Sequence, residues 1–238
     1  MKNTVLHKAK TRGNANHGWL NAFHSFSFGS WYNPERVQFG TLRVLNDDTI
    51  AAGMGFGTHP HDNMEIITIP LEGDLAHKDS MGNTEVIKTG DVQVMSAGTG
   101  IQHSEFNPNP DLQTKLFQIW LFPKTRDVTP RYQQITLDKS LEKNNFAQIL
   151  SPNENDEGVW IHQDAWFYLS DFDEYFSKKL TLKKEGNGFY IMNIEGEIEV
   201  NGEKLEQRDA LGVWETSALE IKAYTKAKFL VMEIPMEV

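Results

Sequence analysis

GMGFGTHPHDNMEIITIPLEGD, residues 53–74, is the stretch that decides the fold. A glycine-broken segment leads through His59-Pro60-His61 into the apolar run Met64–Leu71, which stops at Glu72-Gly73-Asp74. In an extended segment residues i and i+2 share a face, so His59 and His61 set two imidazoles side by side. The run behind them is β-branched and bounded by turn residues, as in a buried strand. A second stretch, GDVQVMSAGTGIQHSEFN at 90–107, has the same build. A glycine turn opens it, Asp91–Met95 is apolar, and His103-Ser104-Glu105 again offers two ligand types at i, i+2. Two such pairs on neighbouring strands converge into a sphere of three histidines and one carboxylate. Neutral imidazole with carboxylate suits Fe, Mn, Co, Ni, Cu or Zn.

Further out, short β-type runs recur at Phe39–Val44, Lys115–Phe122, Lys178–Leu182, Gly188–Ile194, Glu197–Val200, Leu219–Ala223 and Lys228–Ile234. Asn46–Asp48, Glu72–Asp74 and Met81–Asn83 read as the turns between some of them. The pattern predicts an all-β sandwich or barrel. Residues Leu137–Ala147 are the candidate for one short helix, and aromatic-rich Trp160–Phe176 is expected to pack against or pair with a barrel. Glu72-Gly73 before Gly90-Asp91 is echoed by Glu195-Gly196 before Arg208-Asp209, which suggests a duplicated barrel. Aligning the two turns puts Leu182 and Lys184 where His59 and His61 stand, and aligning the two aspartates puts Ile221 and Ala223 where His103 and Glu105 stand. The second unit is therefore expected to hold no metal. The domains read as 1–125, metal-binding; 126–160, a polar connector; and 161–238, a degenerate barrel.

The chain has 238 residues, 39% hydrophobic, with a net charge of −10 and no cysteine. Lack of cysteine excludes disulfides, thiolate nucleophiles and Cys-held zinc or iron–sulfur clusters. The acidic balance argues against direct nucleic-acid binding, which needs positive charge near phosphates. Lys2, Lys8, Lys10, Arg12, Arg36 and Arg43 near the start read as a solvated basic arm. The opening residues lack a signal-peptide core, and no run of roughly 18 apolar residues spans a membrane, so a cytoplasmic protein is expected. His7, His17, His24, His77 and His162 read as structural or surface residues.

Gly53, His59-x-His61, Glu65 and Gly73 resemble the first cupin motif; Gly90, Ser96-Ala97-Gly98, His103 and Asn107 are similar to the second. The spacing departs from the common pattern: Glu65 to Gly73 is one residue longer, Ser96 replaces a proline, and His103 follows Gly98 late. With Gly18-Trp19-Leu20, His24-Ser25-Phe26-Ser27-Phe28, Phe39-Gly40, Leu42-Arg43-Val44, Asn46-Asp47-Asp48 and Met95–Ile101, these departures resemble the pirin family over residues 1–122. The resemblance implies a bicupin of two jelly-roll barrels. It implies one divalent transition metal on His59, His61, His103 and Glu105, with Glu65 outside the ligand set. Iron is the first choice of ion, with Ni, Co, Mn, Cu or Zn as alternatives.

It also implies an activity: quercetin 2,3-dioxygenase, cleaving a flavonol or similar enol with O₂ and releasing CO. Glu105 would then be the catalytic base as well as a ligand. Phe56 and Met64, flanking the ligand motif, are candidate substrate walls, with plain barrel core as the competing reading. The substrate is a small aromatic molecule. The alternative implied by the family is a non-enzymatic metal-binding regulator acting through protein partners.

Overall fold

The computed structural model describes residues 3–237. In chain order the strands are β1 (Thr4–His7), β2 (Gly13–Asn16), β3 (Leu20–His24), β4 (Leu42–Ile50), β5 (Gly55–His61), β6 (Glu65–Glu72), β7 (Leu75–Asp79), β8 (Thr84–Ile87), β9 (Asp91–Ser96), β10 (Ile101–Phe106) and β11 (Thr114–Leu121). They continue with β12 (Arg131–Thr136), β13 (Ala147–Ser151), β14 (Val159–Trp160), β15 (Trp166–Phe172), β16 (Ser177–Thr181), β17 (Asn187–Glu195), β18 (Ile198–Val200), β19 (Glu203–Leu205), β20 (Ala210–Val213), β21 (Ala218–Ala223) and β22 (Ala227–Pro235). No α-helix occurs among the described residues, and so none long and apolar enough to cross a membrane.

The strands form two units of the same design. Each has a large sheet, β12-β9-β6-β11-β4-β3-β2 or β1-β20-β17-β22-β15-β13-β14, and a small one, β5-β10-β7-β8 or β16-β21-β18-β19. The two large sheets share one apolar core: Leu45, Ile67, Phe117 and Ile119 of the first meet Phe167, Tyr190, Met192 and Leu230 of the second. The central strands β6, β17 and β22 are thus covered on both faces, which is why they read as continuous apolar runs rather than alternating ones. The outer face of the second large sheet closes on its own small sheet through Phe172, Phe189, Ile221 and Phe229.

The units exchange edges. Strand β1, at the start of the chain, pairs with β20 of the second unit, Thr4 opposite Val213. Strand β12 pairs with β9 of the first unit, Arg131 opposite Ser96. Residues 126–160 thus supply β12 to one sheet and β13 and β14 to the other.

Three expectations are corrected. The basic arm is folded in only in part: Arg12 donates to Asp47 at 3.0 Å with its side chain 7% exposed, and Arg43 donates to the carbonyls of Ser27 and Val37, whereas Lys10 is exposed and Lys2 lies outside the described residues. Leu137–Ala147 is not a helix but a single 3₁₀ turn, Lys139–Glu142, where Asp138 accepts from the Ser140 N–H and Asn144 takes a left-handed φ of 51°. Asn46-Asp47-Asp48 is no turn; it lies inside β4, where Asn46 and Asp48 are buried on one face.

Candidate metal centre

Strand β5 is the edge of the small sheet, which is where a proline without an N–H fits, and Pro60 separates the two histidines there. Its partner β10 alternates buried and exposed residues, turning His103 and Glu105 inward. His103 stands opposite His59, but Glu105 stands opposite Phe56, so a bulge lets three steps of β5 match two of β10. The result brings three rings together. Centroids lie 4.4 Å apart for His59 and His103, and 4.9 Å apart for His61 with either neighbour.

The tautomer at His59 is set by its surroundings. Its Nδ1 lies 2.8 Å from the Gly57 carbonyl, which can only accept, so Nδ1 carries the proton and Nε2 keeps the lone pair. His61 Nε2 and both ring nitrogens of His103 are buried with no hydrogen-bond partner among the described residues. Burial first, then the other imidazoles, hold His61 down at about 4 and His103 far below the ordinary histidine range. Both rings are neutral at pH 7, the form that binds metal. Buried nitrogen lone pairs without donors are costly, and a divalent cation would satisfy them together. The donor set fits such an ion.

The donor atoms of His59, His61 and His103 lie within 4.8 Å of one another, and so do those of His77, His103 and Glu105. Glu105 is fully packed in, and Gln118 Nε2 donates to its two oxygens at 3.2 and 3.1 Å. Burial pushes the Glu105 carboxyl up to about 7, and the Gln118 amide opposes that. Glu65 lies elsewhere: Ser96 Oγ donates to it at 2.7 Å, and Arg131 stands close enough to oppose the burial that raises it to about 7.

The histidines open on a cavity of about 210 Å³. Leu20, Ala22, Phe28, Phe56, Ile66 and Trp120 form its apolar walls, and Asn46, Asp48 and Gln118 add polar groups. Phe56 is in place as a wall, edge-on to Trp19 at 5.1 Å. Met64, offered as the second wall, does not line the cavity; it packs with Ile66, Met95, Ala97 and Ile101, beyond the left-handed Asn63. Burial, with Asp47 and Glu105 nearby, drives Asp48 up to about 8.

His77 is a buried, hydrogen-bonded residue, in keeping with its structural reading, but it adjoins the cluster. It is buried beside the cluster, its ring 5.3 Å from His103, with Nε2 3.3 Å from Asp79 Oδ2. Asp79 is itself fixed by the N–H groups of Met81 and Asn83. The signal was present: His77-Lys78-Asp79 repeats the i, i+2 pairing on a third strand, and β7 sets His77 opposite Glu105.

Among its described residues the second unit carries no counterpart. β21 and β18 pair as β10 and β7 do, with Ile221 opposite Val200 where Glu105 is opposite His77. Leu219, opposite Leu180, then matches His103 opposite His59. The register differs by two residues from the alignment drawn on the turns. The places of His59, His103 and Glu105 are taken by Leu180, Leu219 and Ile221, all within a filled core.

Comparison with known proteins places the chain and its fold among relatives. The family model Pirin matches residues 5–121, and the model described as "Quercetinase C-terminal cupin domain" matches residues 148–234. A protein of Escherichia coli (strain K12) named quercetin 2,3-dioxygenase is 42% identical over 234 residues, 97% of this chain and 98% of that one. A pirin-like protein of Caulobacter vibrioides is 38% identical over 222 residues, 93% of this chain and 95% of the other. The crystal structure of the bacterial pirin YhhW from Escherichia coli in complex with nickel(II) superposes with a TM-score of 0.93 at 40% identity, covering 99% of this chain and all of that one (100%).

Proposed function

The chain belongs to the pirin family, and on that premise we propose that it is a metal-dependent dioxygenase cleaving quercetin or a similar flavonol or enol with O₂ and releasing CO. One observation carries the reading: three clustered imidazoles, two of them with buried ring nitrogens that have no hydrogen-bond partner among the described residues, stand beside a buried carboxylate on a cavity walled in part by aromatic rings. His59, His61, His103 and Glu105 would hold one divalent transition metal. Iron is the first candidate, and nickel gains support from the complex of the Escherichia coli relative.

When bound, the ion supplies Lewis acidity toward the substrate's enol oxygen and a centre for O₂ chemistry. The protein's own part is positional. Glu105 stands to take the enol proton on a carboxylate oxygen, and Gln118, donating to both oxygens, keeps that carboxylate from rotating away. Asp79 orients His77 against the same group. Phe28, Phe56 and Trp120 offer flat apolar faces for an aromatic ring and displace water from the site. A cavity of about 210 Å³ lies below the range of about 300–1,000 Å³ usual for ligand pockets, so it would enclose only part of a flavonol.

The test is turnover. Metal-loaded wild type should consume quercetin and O₂ with CO release well above the same ion free in solution, and His103→Ala should fall to the free-ion rate. Wild-type turnover no faster than the free ion removes the dioxygenase reading.

A further inference from the structure

Apart from the clustered histidines, the polar side chains around the cavity hold hydrogen bonds, with one exception. Asn46 Oδ1 is engaged by His24 Nδ1 at 2.8 Å. Gln118 donates to Glu105 and accepts from Thr68 Oγ1 at 3.4 Å. Asp48 lines the same cavity at 4% exposure, and its Oδ1 is buried with no hydrogen-bond partner among the described residues. Its strand neighbours are Ala22 and Leu116, which offer no polar side chain. The adjacent Asp47 shows the contrast: on the other face of β4 it pairs with Arg12 at 3.0 Å and Arg208 at 3.3 Å.

A buried carboxyl oxygen left without a donor costs stability, and nothing in the packing around Asp48 returns it. Such a group is explained when a ligand completes it. The partner must approach from the cavity, because the strand on either side is apolar there. A hydroxyl meets the requirement whatever the charge of Asp48, since it donates to a carboxylate and accepts from a carboxylic acid.

We propose that Asp48 is a specificity-determining residue of this cavity, hydrogen-bonding a ring hydroxyl of the substrate other than the enol hydroxyl that faces the histidines. The site then selects polyhydroxylated aromatic enols over bare ones. This rests on reading the cavity as the substrate site. A site built around a substrate hydroxyl discriminates against the analogue that lacks it, because the buried polar group is left unpaired.

The experiment compares quercetin with 3-hydroxyflavone, which keeps the enol and lacks the other hydroxyls. Binding is followed by tryptophan fluorescence, with Trp120 in the cavity wall as reporter, on metal-loaded and metal-stripped protein. Wild type should bind quercetin at least about tenfold more tightly. Asp48→Leu, similar in size and free of the buried carboxyl, should erase that preference while binding 3-hydroxyflavone as well as wild type. Asp48→Asn, which still donates and accepts, should keep most of it. Asp48→Ala should repeat the loss if the leucine variant folds poorly.

An undiminished quercetin preference in Asp48→Leu and Asp48→Ala, or no preference in wild type, overturns the proposal. Its fate is separable from that of the dioxygenase reading. Discrimination that depends on Asp48 without any turnover sinks the enzyme and keeps the residue. Turnover with a preference indifferent to Asp48 does the reverse.

Discussion

Glu65 and Glu105 show how little a residue's type says before its surroundings are known. Both are buried carboxylates held near 7 by burial, and both follow a histidine within four residues. The left-handed Asn63 breaks the alternation between His61 and Glu65, whereas only Ser104 separates His103 from Glu105 on a regular strand. Glu105→Gln is therefore expected to lose metal and activity together. Glu65→Gln should keep its metal, with activity falling by no more than about 10–100-fold through the packing around the ligands. Metal analysis of the two variants decides, and metal-free Glu65→Gln beside metal-loaded Glu105→Gln would reverse the assignment. The histidine pairs were legible because i, i+2 spacing on a strand leaves no choice of face. Asp48 was not, and of His77 only the i, i+2 pairing with Asp79 was. Asn-Asp-Asp is turn chemistry locally, and only the pairing of β4 with β3 and β11 makes it the inside of a barrel. His77 gains its meaning from β10, 26 residues further on, which a local reading does not see.

At the scale of elements, the positions of the apolar strands followed from composition. Met64–Leu71 became Glu65–Glu72, and Gly188–Ile194 became Asn187–Glu195. The exchange of β1 and β12 between the units was not legible, because edge strands are short and half polar and their partners lie far away in sequence. The clip that β1 makes on the second unit ends in His7, 5% exposed, whose Nδ1 lies 2.9 Å from Tyr190 Oη. Burial, aided by Arg36, lowers His7 from 6.5 to about 4. The unfolded chain takes up this proton below pH 6.5 and the folded chain does not. The stability that neutral His7 contributes is therefore complete above that value and is lost as pH falls toward 4. Melting temperature measured from pH 7 to pH 5 should fall more steeply for wild type than for His7→Asn. Equal slopes would show that β1 is not held this way.

Taken whole, the molecule is two barrels on one core, and the side that carries chemistry is decided by what fills each barrel. Leu180, Leu219 and Ile221 pack the second solid; three histidines and a glutamate leave the first open. Because Phe117 of one unit and Phe167 of the other lie in the same apolar cluster, the chain should melt in a single transition. Phe167→Ala, in the unit without ligands, should cost about 3–5 kcal/mol and lower the melting temperature of the metal-binding unit with it. Two separate transitions would contradict a shared core. Removing the metal should likewise lower the one transition, since an ion that binds only the folded chain stabilises all of it. The most direct test is elemental analysis of purified wild type beside His61→Ala. One metal per chain in wild type and close to none in the variant is the predicted result; two metals per chain, or full metal without His61, would contradict the account.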